Sequence, residues 1–384
     1  MKCPEPIDLL IVTDWYLPGY KAGGPIVSIA NLVKALRGHL HIGILCSDRD
    51  YLAHAPYPNI EANTWTRSDG VVLYYLSPAQ QRYSEVAALL KANNPRILYI
   101  NGLFSKSFSI YPCIAALNFD CRTIVAPRGM LAPGALGIKP FKKKLFLAFA
   151  KMTGLYRRTE WHATHSHEAA HIRQYTGEKV KITVLPNLPS TPTVNPADAE
   201  QQNPKVAGEL EVLMVARIAP EKHIEFALNC LSLLPKGLKV RLIHVGPVYN
   251  NGYEKRLHSI ALPQNVALEW CGALPPVEIE TRYKQAHLFF LPSLGENYGH
   301  AIVEAMLHGI PALISDQTPW RQLKEQELGA DFPLTSPSPF VDYLCQVAAM
   351  DQFAYDAAYG GIAKKITTIL KVDEWVAAYK SYFK

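Results

Sequence analysis

Residues 293–315 run SLGENYGHAIVEAMLHGIPALIS, with Glu296 and Glu304 separated by seven residues. Ahead of this stretch the apolar run Leu288–Leu291 predicts a buried strand. The Gly295–Gly299 portion predicts a loop, and the portion from about Gly299 to His308 a helix that buries Ile302, Val303, Ala305 and Met306. Glu296 then belongs to the loop and Glu304 to the helix. A helix that begins near Gly299 presents backbone N–H groups and the positive end of its dipole to an anion, and Gly295 and Gly299 place no side chain in the way. A nucleotide diphosphate fits such a start. Glu304, more than one turn further in, is then placed to accept hydrogen bonds from ribose hydroxyls, while Glu296 overhangs the sugar linked to the phosphate.

Outward from this unit the chain alternates short strands with helical patterns, which implies parallel sheets wrapped by helices. In the first half strands are expected at Leu9–Thr13, His41–Cys46, Val71–Leu76, Ile97–Ile100 and Thr123–Ala126, with helices at Pro25–Leu36, Ser84–Asn93 and Phe108–Asn118. Residues 189–208, PSTPTVNPADAEQQNPKVAG, carry almost no large apolar side chain and predict a linker. Beyond it come strands at Val212–Val215, Val240–Val245 and Val266–Trp270 and helices at Ile224–Leu234 and Tyr253–Leu262. The expected architecture is α/β: an N-terminal Rossmann-like domain over 1–188, a second over 209–365, and a cleft between them. Val372, Trp375, Val376, Tyr379, Tyr382 and Phe383 form an aromatic stripe at helical spacing, too apolar for a free tail.

A chain of 384 residues with 49% hydrophobic residues suffices for two cores. Seven scattered cysteines without a C-x-x-C pair suit free thiols in a reducing cytoplasm. No signal peptide is expected, since Ile7–Val12 is too short and follows Glu5, and no apolar run reaches the ~18–20 residues that span a bilayer. A cytoplasmic protein, soluble or peripheral on the inner face of a membrane, is expected. The net charge of +6 is concentrated: between Asp120 and Glu160 there is no acidic residue, but Arg122, Arg128, Lys139, Lys142, Lys143, Lys144, Lys151, Arg157 and Arg158 all fall there. Within that segment Phe141, Leu145, Phe149 and Met152 recur at helical spacing. Two readings stay open over 139–158: a basic amphipathic helix on an anionic membrane surface, or a solvated lysine face on a helix that packs its apolar stripe inward. No nucleic-acid motif accompanies the charge, so no nucleic-acid partner is expected.

The segment G-E-N-Y-G-H-A-I-V-E-A resembles the E-x7-E signature of retaining nucleotide-sugar glycosyltransferases with the GT-B fold, especially family 4. Further elements match in order: residues 18–25 (PGYKAGGP), 126–131 (APRGML), 162–164 (HAT), 185–187 (LPN), 215–218 (VARI) through Glu221-Lys222, and 244–247 (HVGP). The resemblance covers roughly residues 8–330. It implies two Rossmann-like domains facing a central cleft, with the C-terminal helix, here 366–384, packed back on the N-terminal acceptor domain.

The resemblance also implies roles. Arg217 and Lys222, just beyond a strand at the edge where ligands of open α/β sheets bind, match the Arg-to-Lys pair that contacts the donor diphosphate. Gly23 and Gly24 let backbone approach the donor phosphate or the acceptor, and Lys21, by its position beside them, is a candidate phosphate contact. Gly246, Gly272 and Leu274 line the nucleotide, and Asn297, Tyr298, Gly299, His300 and Glu304 complete the donor-binding set. Arg128 stands where many relatives place a catalytic histidine, so that histidine's role does not carry over. Contact with a donor or acceptor phosphate and a structural brace for the loop both remain open for Arg128. His162, His165, His167 and His171 suggest a metal only if His167 and His171 act as an i, i+4 pair. The resemblance makes this segment a strand end followed by a helix capped by Ser166. Asp48-Arg49-Asp50 imitates a D-x-D metal motif outside its context. No metal and no cofactor are expected.

The expected activity is retaining transfer of a sugar from a nucleotide-diphosphate sugar, with UDP the expected nucleotide, to a glycan or lipid-linked saccharide in polysaccharide or glycoconjugate assembly. Glu296, Arg217, Lys222 and Arg128 are the expected catalytic residues. An isomerase or phosphorylase of the same fold and a non-catalytic nucleotide-sugar-binding protein are the alternatives. A glycosidase using the two glutamates lacks a fitting context, and a dehydrogenase lacks its Gly-rich fingerprint.

Overall fold

The computed structural model describes residues 2–137, 140–190 and 203–384. Lys139 and residues 191–202 of the expected linker lie outside them. The chain divides into two compact units, one of Met1–Leu188 with Val372–Lys384 and one of Pro189–Lys371.

In the first unit the strands are β1 (Leu9–Thr13), β2 (Ile42–Ser47), β3 (Trp65–Ser68), β4 (Val71–Leu76), β5 (Ile97–Asn101), β6 (Arg122–Ala126), β7 (Thr159–Ala163) and β8 (Ile182–Val184). They form one sheet in the order β3-β4-β2-β1-β5-β6-β7-β8. Every residue of β1, β2, β4 and β5 is buried, as strands covered on both faces must be. Alternation still assigns the two faces: Leu10, Val12, Leu98 and Ile100 enter one core, Leu9, Ile11, Ile97 and Tyr99 the other.

The sheet is mixed, not wholly parallel. β3 pairs antiparallel with β4 through Asp69 and Gly70, both at positive φ. An Asp-Gly pair is the strongest local hairpin signal. The helix expected over Phe108–Asn118 starts and ends two residues earlier. It opens as a π-type turn over Lys106–Ile110, capped where Ser105 Oγ accepts from the Phe108 N–H at 3.3 Å, and continues as Tyr111–Ala116.

The second sheet is parallel throughout. Its strands are β9 (Glu209–Val215), β10 (Lys239–Val245), β11 (Val266–Trp270), β12 (Leu288–Leu291), β13 (Ala312–Ser315) and β14 (Gly329–Phe332), ordered β11-β10-β9-β12-β13-β14. The chain moves outward from β9 to β11, then returns to lay β12 on the other side of β9. This makes the gap between the ends of β9 and β12 a topological switch point, where ligands of open α/β sheets bind. In the first sheet the switch falls between β1 and β5.

The C-terminal helix returns to the first unit, beginning at Val372 and not at residue 366. Lys371 takes a left-handed φ of 46° and ends the preceding helix, Ile362–Leu370, which stays with the second unit. Tyr379 of the returning helix and Phe383, just past its end, are buried in the core that holds Leu9, Ile11 and Tyr99, and Trp375, Val376 and Tyr382 pack against it. The aromatic stripe thus closes one face of the first sheet.

Candidate active site

Two loops of the second unit meet at its switch point. The loop after β9 runs through Arg217 into a short 3-10 turn, Pro220–Lys222, and the loop after β12 carries Glu296. Their backbones are tied: the Leu294 N–H donates to the Glu221 carbonyl at 2.9 Å, and Ser293 Oγ donates to the same oxygen at 3.1 Å. That tie brings Lys222 Nζ to 2.6 Å from Glu296 Oε1, with both side chains largely buried.

Arg217 donates from Nε and an Nη to Glu221 Oε1 at 2.9 and 2.7 Å and lies over the Tyr249 ring. Burial works against the Arg217 cation, but Glu221, Tyr249 and Glu296 outweigh it and hold its pKa above the ordinary guanidinium value. Two cations and two carboxylates therefore interlock at the end of β9. The spacing of four between Arg217 and Glu221 is the sequence signal for this pairing.

Gly246 and Gly272 follow β10 and β11 and meet directly, the Gly246 N–H donating to the Gly272 carbonyl at 2.7 Å. A Cβ on Gly246 would stand 1.9 Å from the Ala216 carbonyl oxygen, so glycine here lets the loops after β9 and β10 touch. Gly272 sits at a φ of 66° with open space where a Cβ would go, and Leu274 is half-buried just beyond it.

The helix predicted after Gly299 spans His300–Leu307, with Gly299 as its N-cap at a φ of 79° and no side-chain cap. Asn297 is half-buried on the loop before it. Tyr298 and His300 are buried and their rings pack together, and the Tyr298 carbonyl accepts from Trp320 Nε1 at 2.6 Å. Glu304 projects from the helix half-buried, accepting from Ser190 Oγ at 3.1 Å and Tyr283 OH at 3.3 Å. Burial pushes its carboxyl up to about 7, and those two hydrogen bonds moderate the rise. Glu296 and Glu304 are thus electrostatically distinct, one held by a lysine and the other by hydroxyls. Ser190 and Tyr283 carry no sequence signal for this contact.

In the first unit Gly23, at a φ of 65°, caps the helix Gly24–Leu36. The preceding loop is held by Asp50 Oδ2, which accepts from the Tyr20 and Lys21 N–H groups at 2.9 and 3.1 Å. Asp48 pairs with Arg49 at 2.8 Å. The D-x-D look-alike is thereby a loop clamp. At this unit's switch point Ser105 Oγ, beyond β5, donates to Asp14 Oδ1, beyond β1, at 2.6 Å.

Arg128, at a φ of 55°, commits its guanidinium to Asn101 Oδ1 at 2.8 Å, Tyr99 OH at 2.7 Å and Asn187 Oδ1. These bonds are those of a brace across β5, β6 and the chain after β8. Tyr99 OH also meets His162 Nδ1 at 2.6 Å, while His162 Nε2 contacts the Leu185 carbonyl and Tyr379 OH. Burial, then nearby Arg128, lower the His162 pKa to about 3. His162 is a neutral core residue. His165 itself, not Ser166, is the N-cap of the next helix, accepting from the Glu168 N–H at 3.2 Å.

The glycosyl transferase 4-like domain model matches residues 23–188, and the model of glycosyl transferases group 1 matches residues 197–335. Solved structures of the same fold include sucrose-phosphate synthase from Thermosynechococcus elongatus, 13% identical with a TM-score of 0.69 over 98% of both chains. HepE of Anabaena, solved in complex with UDP and glucose, is 15% identical with a TM-score of 0.66 over 98% of both chains. WaaG, a glycosyltransferase involved in lipopolysaccharide biosynthesis, is 13% identical with a TM-score of 0.65 over 98% of this chain and 99% of its own. No curated protein sequence matches significantly.

Proposed function

We propose, from the premise that this chain is a glycosyltransferase of the GT-B type, that it transfers a sugar from a UDP-sugar to a saccharide hydroxyl with retention of anomeric configuration. The observation that carries the reading is the Lys222–Glu296 contact of 2.6 Å at the switch point, flanked by Arg217. A diphosphate leaving group needs cations, and a sugar passing through an oxocarbenium-like transition state gains from a carboxylate beside it.

In the proposed step the bond between the anomeric carbon and the diphosphate oxygen breaks, and the acceptor oxygen bonds to that carbon on the same face. The acceptor proton passes to a phosphate oxygen of the departing UDP. Lys222 and Arg217 stabilise the negative charge on the leaving group, and Glu296 the positive charge on the sugar. Glu304 takes the ribose hydroxyls. The helix N-terminus at Gly299 adds its dipole to the two cations, so the reaction proceeds without a divalent metal. A UDP-sugar donor is supported by the solved neighbour that holds UDP and glucose. A glycan acceptor of polysaccharide or glycoconjugate assembly is the proposed partner.

The test is incubation with a panel of UDP-sugars and saccharide acceptors, with excess chelator in a parallel arm. The expected result is a new glycosidic linkage with the donor's anomeric configuration by NMR, at equal rate with chelator. An inverted linkage, an epimer, a sugar phosphate, or binding without turnover would each overturn the retaining-transferase reading, and loss of rate in chelator the metal-free one.

A further inference from the structure

The helix Pro140–Thr153 in the first unit has two apolar faces. One packs inward: Ala150 is buried, Phe146 and Leu147 lie against the core, and Lys143 turns in to donate to the Ala135 carbonyl at 2.6 Å beside the Phe104 ring. The other faces solvent. Phe141, Leu145, Phe149 and Met152 are 78%, 61%, 54% and 79% exposed. The outward position of this stripe excludes the reading in which it packs against the protein.

At about 100° per residue those four side chains fall within an arc of about 80°. Lys142 borders the arc on one side, Lys144 and Lys151 on the other, and all three are exposed. Arg157 and Arg158, exposed just beyond the helix, extend the positive rim, and no acidic residue occurs between Asp120 and Glu160. Two exposed phenylalanines, a leucine and a methionine in one stripe exceed the scattered apolar residues normal to a surface.

We propose that this face is an interfacial helix that docks on an anionic bilayer, with Phe141, Leu145, Phe149 and Met152 entering the acyl boundary and Lys142, Lys144 and Lys151 contacting lipid phosphates. The charge complementarity favours a lipid leaflet over a second copy of this chain, which would bring like charges together. Among the described residues no helix is long and apolar enough to cross a membrane; the proposed attachment lies in the interface plane. The acceptor class that follows, a saccharide on a membrane-held lipid carrier, rests on the transferase reading; the docking itself does not.

The experiment is cosedimentation of the full chain with phosphatidylcholine vesicles and with vesicles containing phosphatidylserine, without donor or acceptor, so that it can fail independently of catalysis. Wild type is expected to bind the anionic vesicles and to lose binding as salt rises. Lys142→Gln with Lys144→Gln and Lys151→Gln should weaken that binding about 100-fold. Phe141→Ser with Phe149→Ser should weaken it by at least about tenfold. Both variants should keep the wild-type melting temperature, since neither alters the inward face. No anionic-vesicle binding, or binding unchanged in both variants, overturns the proposal. So does a concentration-dependent oligomer of wild type that the Phe141→Ser, Phe149→Ser variant abolishes while vesicles remain unbound.

Discussion

Lys222 and Glu296, 74 positions apart in the chain, hold each other at 2.6 Å because the loops that carry them share the Glu221 carbonyl. Each side chain limits what the other offers a ligand. In Glu296→Gln the shape persists, the lysine is no longer neutralised and the sugar loses its carboxylate. Turnover should fall about 10²–10³-fold while UDP affinity rises about 3–10-fold. Steady-state kinetics with calorimetry decides this; near-wild-type turnover would remove Glu296 from catalysis.

Removing the cations should have the opposite signature on binding. Lys222→Ala and Arg217→Ala should each weaken UDP binding by about 1.5–3 kcal/mol. Lys222→Ala also leaves the Glu296 carboxylate largely buried without its partner, lowering stability by about 1–3 kcal/mol. Adding Glu296→Gln to Lys222→Ala should recover stability but not UDP affinity. Chemical unfolding and calorimetry on the two singles and the double measure both effects.

Glu304 ties stability and binding to pH in opposite senses. Its folded-state pKa of about 7 lies above the ordinary 4.5, so the folded chain holds a proton that the unfolded chain has released between those values. Stability from this group is complete below about pH 4.5 and is lost as pH rises to about 7. Glu304→Gln should therefore gain about 1–3 kcal/mol on wild type between pH 5 and pH 8. In the proposed reading ribose recognition needs the ionised form, so wild-type UDP affinity should rise over the same interval and stay flat in the variant. Calorimetry and thermal unfolding across that range are the measurements, and a flat wild-type binding profile would detach Glu304 from the nucleotide.

Gly246 and Gly272 should respond differently to alanine. In Gly246→Ala the new methyl meets the Ala216 carbonyl at 1.9 Å and the loops must separate, at a cost of about 2–4 kcal/mol. In Gly272→Ala the space is open and only the φ of 66° is strained, at about 1–2 kcal/mol. Urea unfolding of both variants tests the order; equal costs would contradict the close approach.

Much of this protein was legible along the chain because period and punctuation are local properties. The strand–loop–helix unit around Glu296 and Glu304 follows from an apolar run, two glycines and helical spacing, and β12 and the helix His300–Leu307 lie where those signals put them. The aromatic stripe of the last helix likewise announced burial, and Tyr379 and Phe383 are buried. The antiparallel β3 is weakly marked in sequence except for the Asp69-Gly70 turn, because its strand is short and half-exposed.

Pairing across the sequence is where tertiary structure alone decided. Nothing near Arg128 in sequence points to Asn101, Asn187 and Tyr99, which sheet order brings to one edge. The same holds for Ser190 and Tyr283 on Glu304, whose raised pKa depends on burial no linear pattern encodes. The lysine-rich helix shows the division most sharply. Its sequence established that it is basic and amphipathic, but a helix with two apolar faces can bury either one. Only the packing of Phe146, Leu147 and Ala150 against the core turned Phe141, Leu145, Phe149 and Met152 outward.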